Sequence, residues 1–241
     1  EKRKGGKYHG QVNLLGVFYT KDNGVAARFS DTVEFDFENK KALEAWQQQP
    51  TFYYEKDVEG LPGVYTLKVA ASSTDGHVAK MELPLEIDTY NGQKMGLSAI
   101  TLSTNVRKVD QRAGGDTVES EDATPLVANG MQFLPSARTT FKKTDRVAVY
   151  AEFYEPALKA PELPKDLVVA VRMRLTDAKT GKVKLDSGVM RQNQIQAGQP
   201  VIPVALMIPV AKLDAGEYTC ELGGGDTVGG QVRRVVRFIV E

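Results

Sequence analysis

Residues suited to acid–base chemistry are scarce, because the chain has two histidines and one cysteine. His77 follows Asp75, and two serines lie just upstream at positions 72 and 73. A hydrolytic triad needs a nucleophile, a base and an orienting acid within hydrogen-bond reach, and no Gly-x-Ser-x-Gly elbow surrounds these serines. Asp75 and Gly76 are typical of a hairpin turn. We therefore interpret His77 as an exposed turn residue, and His9 near the N-terminus as a solvated one.

Carboxylates offer a second kind of catalytic site. A glycosidase needs two carboxyl groups about 5 to 10 Å apart across a cleft. The candidate pairs are Asp31 with Asp36 and Glu152 with Glu155. Their spacing along the sequence does not establish that geometry, so a hydrolase with an unrecognised carboxylate site stays an alternative.

Acidic residues also cluster in the irregular stretch 110–129, as Asp116, Glu119, Glu121 and Asp122. Calcium needs several converging oxygen ligands, and this spacing matches no EF-hand loop. We interpret the stretch as a mobile surface loop.

The glycine-rich run at 223–230 has the composition of a phosphate loop but not its context. A phosphate loop joins a strand to a helix and ends in Gly-Lys-Ser/Thr, an ending that this run lacks. We expect a hairpin loop between two strands. Just upstream, Cys220 alternates with Tyr218 and Leu222, which predicts a buried and unreactive thiol.

Trp46 and Tyr53 are the candidates for contact with a glycan or a partner, through exposed aromatic faces. The alternative is that Trp46 packs a helix onto a sheet, because large aromatic side chains are mostly buried or half-buried. We assign no catalytic, cofactor-binding or metal-binding residue.

Composition argues against several classes of protein. The 31 basic and 31 acidic residues balance, which argues against a dedicated nucleic-acid binder. A single cysteine cannot form an internal disulfide. No apolar run approaches the roughly 20 residues of a membrane-spanning helix.

Alternation of apolar and polar residues predicts antiparallel strands along most of the chain, notably at 65–72, 81–88, 169–176 and 236–241. The run 14–19 is apolar on both faces, which favours a central strand. One helix is predicted at 40–49, capped by Asn39 and stopped by Pro50.

A weak internal repeat suggests duplication, because Gly-x-Tyr-Thr at 63–66 recurs at 216–219, each time before a terminal hairpin. The pattern is typical of a tyrosine corner, in which the phenol hydrogen-bonds to nearby backbone. We predict an all-β fold of two tandem immunoglobulin-like or fibronectin-III-like β-sandwich domains, with one short helix in the first. The domains span residues 1–92 and 93–241, the second with a long loop at 105–130.

Several segments carry a resemblance to a known family: VAARFSDTV at 25–33, LPGVYTLKV at 61–69, MGLSAITLS at 95–103, PLV at 125–127 with FLPSA at 133–137, and VYAEFY at 149–154. In this order they resemble the region downstream of the von Willebrand A-like domain in bacterial VWFA-related proteins. The resemblance implies export to the periplasm, cell surface or medium, and a first domain that lacks its opening strand. The Asp-x-Ser-x-Ser metal-adhesion motif does not occur, so metal-dependent adhesion is not implied.

We therefore expect a non-catalytic structural or protein-interaction module of an exported bacterial protein. Its partner is expected to be a protein, with the upstream A-like domain as one candidate, rather than a nucleic acid. A carbohydrate-binding module using exposed aromatics is the first alternative, and a hydrolase is the second.

Overall fold

A computed structural model of the chain describes residues 7–48, 53–109, 117–119 and 126–241. Its regular structure is almost entirely β-strand, so the predicted all-β class is confirmed. The strands are β1 (Tyr8–Thr20), β2 (Val25–Phe37), β3 (Tyr53–Glu55), β4 (Gly63–Ser73), β5 (Val78–Ile87), β6 (Gly96–Leu97), β7 (Thr101–Ser103), β8 (Asn105–Lys108), β9 (Thr117–Glu119), β10 (Val127–Ala128), β11 (Met131–Leu134), β12 (Thr140–Phe141), β13 (Val147–Tyr154), β14 (Val169–Asp177), β15 (Val183–Asp186), β16 (Met190–Arg191), β17 (Val201–Ile208), β18 (Gly216–Asp226) and β19 (Gln231–Val240). The one α-helix is α1 (Lys40–Gln47), and 3₁₀ turns span Pro156–Lys159 and Val210–Lys212. Among the described residues, no helix has the length and apolar character to cross a lipid bilayer.

The chain divides into two compact units. The first comprises Glu1–Thr89 with Ala113–Thr124, and the second comprises Tyr90–Arg112 with Pro125–Glu241. Strand β9 lies inside the loop that the sequence assigned to the second domain. It pairs in parallel with β3 and so belongs to the first unit.

The first unit is built on an antiparallel sheet in the order β2-β1-β4-β5. Strand β1, which contains the run 14–19, lies in the centre as predicted. Cross-strand neighbours such as Phe18 and Leu67 place the apolar side chains on one face. The second layer on that face is small: α1 contacts it through Trp46, and β3 reaches it through Tyr54.

Helix α1 begins as the sequence predicts, because the Asn39 side chain accepts a hydrogen bond from the backbone N–H of Ala42 at 3.0 Å. The helix packs against β2 through Trp46, whose ring centroid lies 4.9 Å from that of Phe35 and 5.5 Å from that of Phe37. The predicted stop at Pro50 lies outside the described residues.

Strand β5 has the predicted alternation, but its apolar residues are only partly covered. Met81 and Leu83 lie on the same face as Leu67 and retain 51% and 41% of their exposure. The period of the pattern therefore identifies the face of the strand, whereas burial depends on how far the second layer extends.

The second unit contains two stacked sheets. One has the order β12-β19-β18-β14-β15, with β16 also on β14, and the other has the order β17-β13-β6, with β7 also on β13. Alternate side chains from both sheets form one continuous core, including Phe153 of β13, Leu175 of β14 and Phe238 of β19. This arrangement is a β-sandwich.

Strand β13 is buried on both faces. Its other face contributes Ala148 and Tyr150 to a second apolar cluster with Ala128 and Phe133. That cluster lies under the small sheet β10-β11-β8. Part of the predicted loop 105–130 is therefore a covering layer.

Both predicted tyrosine corners are present. The hydroxyl of Tyr65 donates to the carbonyl of Leu61 at 2.8 Å, and that of Tyr218 donates to the carbonyl of Asp214 at 2.9 Å. Each phenol thus reaches the backbone four residues upstream, at the entry to β4 and to β18.

Candidate functional site

The Ser–Asp–His grouping at the β4–β5 turn does not have the arrangement of a hydrolytic triad. Asp75 Oδ1 accepts the hydroxyl of Ser73 and lies 2.9 Å from Nδ1 of His77. The carboxylate therefore stands between serine and histidine, whereas a triad needs the imidazole in that position. The His77 side chain is 86% exposed, which confirms an exposed turn residue. Its hydrogen bond with Asp75 raises the pKa of His77.

His9 is buried, so the prediction of a solvated residue is wrong. It lies within β1 directly opposite Asp36 of β2, and its Nδ1 is 2.9 Å from Asp36 Oδ1. Position near the N-terminus does not decide exposure when the residue is inside a paired strand.

Neither predicted pair of carboxylates converges. Asp31 and Asp36 lie on opposite faces of β2. Side chains alternate between the two faces along a strand, and these two residues are an odd number of positions apart. Asp31 faces the second layer, where Lys56 Nζ donates to it at 2.8 Å and Tyr54 adds a hydrogen bond. These hydrogen bonds from Lys56 and Tyr54 lower the pKa of Asp31.

Glu152 and Glu155 are also engaged separately. Glu152 accepts the hydroxyl of Tyr150 at 2.7 Å, within β13. Burial, aided by this carboxylate, raises the pKa of Tyr150. Glu155 lies just after β13, at the start of the 3₁₀ turn Pro156–Lys159.

The structure brings Glu155 together with Asp226, a pairing that the sequence analysis missed. The two belong to opposite sheets of the second unit, since Glu155 follows β13 and Asp226 ends β18. Both residues line one cavity, and their carboxyl groups are close enough to influence each other's pKa. The sequence around each acid indicates only a local role. Glu155 precedes Pro156 and is suited to cap a 3₁₀ turn, and Asp226 lies in a glycine-rich run and is suited to a turn.

Each carboxyl group is held by local backbone. Glu155 is 2% exposed, and its Oε1 accepts the N–H of Ala157 at 2.9 Å. Asp226 Oδ1 accepts the N–H groups of Val228 and Gly230 at 2.7 and 2.8 Å. The glycine-rich run is thus the hairpin that the sequence predicts, folded around the Asp226 side chain.

The two acids are shifted in opposite directions. Burial raises the pKa of Glu155, and the neighbouring Asp226 adds to that rise, while the N–H of Ala157 opposes it. Burial also opposes ionisation of Asp226, but hydrogen bonds from Gly230, Glu155 and Val228 lower its pKa.

The pair lies on a cavity of about 500 Å³. Besides the two acids, its lining includes Gln93, Lys94, Met95 and Gln231. In the described residues, no group of three or more His, Cys, Asp or Glu side chains is arranged to hold a metal ion.

The remaining candidate residues either pack within the fold or have side chains outside the described part of the chain. Trp46 packs α1 onto β2, as the alternative interpretation predicts. The Tyr53 side chain lies outside the described part of the chain, as do the side chains of Asp116, Glu119, Glu121 and Asp122. Cys220 is buried as predicted, and burial raises the pKa of its thiol to about 12.

Comparison with known proteins identifies no family. No protein-family model matches the chain, and no curated protein matches it. A transglutaminase structure from red sea bream matches 98% of this chain and 27% of its own, at 12% identity and a TM-score of 0.28. A structure concerned with host cell surface retention of a 1.5-MDa bacterial ice-binding adhesin matches 98% and 58%, at 8% identity and a TM-score of 0.21. The chain spans less than two thirds of either protein, and similarity at this level carries no functional argument.

Proposed function

We propose that the chain is a non-catalytic structural and protein-interaction module of an exported bacterial protein. The observation that carries the proposal is the outer edge of β2. This strand has 13 residues and no proline, and among the described residues its one neighbour in the sheet is β1. A long edge strand without proline offers its backbone N–H and C=O groups to a strand of another chain.

A second copy of the chain is the partner that β2 fits best. An antiparallel pairing of two β2 strands centred on Asp31 brings Arg28 of each copy opposite Glu34 of the other. Both residues are exposed on the polar face of the sheet. Opposite charges on facing strands contribute roughly 0.2 to 1 kcal/mol per pair. The formal net charge of zero leaves no overall repulsion between copies.

The pairing also brings Asp31 opposite Asp31, on the apolar face. The ion pair with Lys56 at 2.8 Å compensates that charge within each copy. Phe29 comes opposite Val33 on the same face, which adds apolar contact across the junction.

Sedimentation equilibrium over a range of protein concentrations tests this proposal. We expect a concentration-dependent dimer. Arg28→Glu and Glu34→Arg should each weaken it, and the variant that carries both substitutions should restore it. Lys80→Glu is the matched control, because Lys80 is exposed on the opposite edge strand β5. A monomer at every soluble concentration would overturn the proposal, as would a dimer that ignores both charge reversals.

Export is supported by the resemblance to the region downstream of the A-like domain in bacterial VWFA-related proteins. The expected result is that antibody to this chain detects the protein in the periplasmic, surface or medium fraction of the source bacterium. Detection confined to the cytoplasmic fraction would contradict export without affecting the β2 contact.

A further inference from the structure

The Glu155–Asp226 pair places two carboxyl groups on one cavity of the second unit. Two carboxyl groups in contact inside a protein cannot both stay charged unless a cation or a proton lies between them. Glu155 is 2% exposed, so water does not screen its side of the pair. Lys94 lines the same cavity but is exposed to solvent.

One oxygen of the buried acid has no donor. Ala157 donates to Glu155 Oε1, whereas Glu155 Oε2 receives no hydrogen bond from any of the described residues. The Asp226 carboxyl lines the same cavity, where the N–H groups of Val228 and Gly230 hold it through Oδ1. Glu155 Oε2 is thus a buried acceptor without a donor, and a second carboxyl group lies beside it. This arrangement is suited to a cation that both carboxylates can coordinate.

The surroundings favour a cation that accepts mixed oxygen ligands. The adjoining cavity of about 500 Å³ has room for water, and Gln93 and Gln231, whose side chains carry amide oxygens, are among its lining residues. Calcium takes six to eight oxygens from carboxylates, amides and water in a flexible geometry, whereas Mg²⁺ demands a strict octahedron.

We propose that Glu155 and Asp226 form a calcium-binding site that links the two sheets of the second unit. The bound ion coordinates Glu155 Oε2, which accepts no hydrogen bond from the described residues, and neutralises both carboxylates. Because the protein supplies two carboxylates, the dissociation constant is expected at about 10⁻⁴ to 10⁻³ M, the range of extracellular modules. The site does not depend on the β2 contact.

The test is isothermal titration of the full chain with calcium chloride, together with thermal unfolding in calcium, in magnesium and in EDTA. We expect saturable binding of calcium and a higher unfolding midpoint in calcium than in EDTA, with a smaller effect of magnesium. Glu155→Gln and Asp226→Asn should each abolish the binding and the shift. Lys94→Gln should tighten binding severalfold by removing a nearby positive charge.

Glu162→Gln is the matched control, because Glu162 is an exposed carboxylate of the same unit. It should bind calcium as the wild type does. Far-UV circular dichroism checks that each variant is folded. If a variant does not fold, the calcium titration of the wild type still tests the proposal. No calcium-dependent heat and no shift in wild type would overturn the proposal, leaving a pair of acids that shares a proton. Binding that survives both Glu155→Gln and Asp226→Asn would also overturn it.

Discussion

Asp31 is the charged residue that connects the sheet of the first unit to its second layer. Its carboxylate accepts hydrogen bonds from Lys56 at 2.8 Å and from Tyr54, and the Lys56 side chain is 19% exposed. A carboxylate whose pKa is lowered in the folded state stabilises that state only while it is ionised. The stability of the first unit should therefore depend on pH through this residue.

We predict that Asp31→Asn lowers the unfolding free energy of the first unit by about 1 kcal/mol at neutral pH. The folded pKa lies below the unfolded one, so the contribution is fully present above the unfolded pKa and is lost as the pH falls through the folded pKa. The difference between wild type and variant should thus vanish in acid. Urea unfolding followed by Trp46 fluorescence at several pH values measures it.

Glu59→Gln is the control for this measurement, because it removes an exposed carboxylate of the same unit. It should leave the neutral-pH stability almost unchanged. A difference between wild type and Asp31→Asn that persists at low pH would contradict an ionic role for Asp31.

At this scale, local pattern predicts some residues and fails on others. The burial of Cys220 follows from its alternation with Tyr218 and Leu222 within one strand. The proximity of Glu155 and Asp226 cannot be predicted from local pattern, because it depends on how the two sheets stack. Each acid also has a sufficient local explanation, Glu155 as a cap and Asp226 as a turn residue.

Strand β18 contains a position where only glycine fits. Gly224 faces the core, and a Cβ added there would overlap the ring of Phe153, which is fully buried on β13. The glycine in this strand therefore lets an aromatic ring from the opposite sheet lie against the backbone. A Cβ at adjacent Gly223 would make only ordinary van der Waals contacts, with the Val232 carbonyl oxygen at 3.6 Å and the Arg233 Cβ at 4.0 Å.

Gly224→Ala should destabilise the second unit by about 1 to 3 kcal/mol, because the Phe153 ring or the strand must move to admit the methyl group. Gly223→Ala is a matched control in the same strand and should be nearly neutral. Urea unfolding followed by the reactivity of Cys220 reports on this unit. Equal effects of the two substitutions would show that the Phe153 contact is not the cause.

Alternation identifies β4, β5, β14 and β19, because each of these strands contains several apolar–polar repeats. Strands of two or three residues such as β6, β7, β10 and β12 are too short to express any period. The parallel β3–β9 pair was missed for a further reason: it joins segments that are far apart and includes part of a presumed loop.

The two units differ greatly in the size of their cores. In the described part of the first unit, Phe18 and Val33 are the buried apolar side chains, while Met81 and Leu83 stay exposed. The core of the second unit extends across both of its sheets. Because burial of apolar surface is the main stabilising contribution, the units should unfold separately.

We predict two transitions in urea, the first unit unfolding at the lower concentration. Trp46 is the single tryptophan and reports on the first unit, while Cys220 is the single cysteine and reports on the second. Fluorescence should therefore change before the thiol becomes reactive toward Ellman's reagent. Coincident transitions would mean that the two units unfold as one cooperative body.

The last strand of the second unit has a mechanical consequence. Strand β19 pairs antiparallel with β18 and parallel with β12, where the N–H of Ile239 donates to Thr139 and that of Glu241 donates to Phe141. Consider a force that pulls the segment before β12 and the end of β19 in opposite directions. Because the two strands are parallel, this force acts along them and loads their hydrogen bonds in shear. They must then break together, whereas a force that peels the β18–β19 hairpin open would break its bonds one after another. A module of this kind resists stretching along the chain better than it resists peeling.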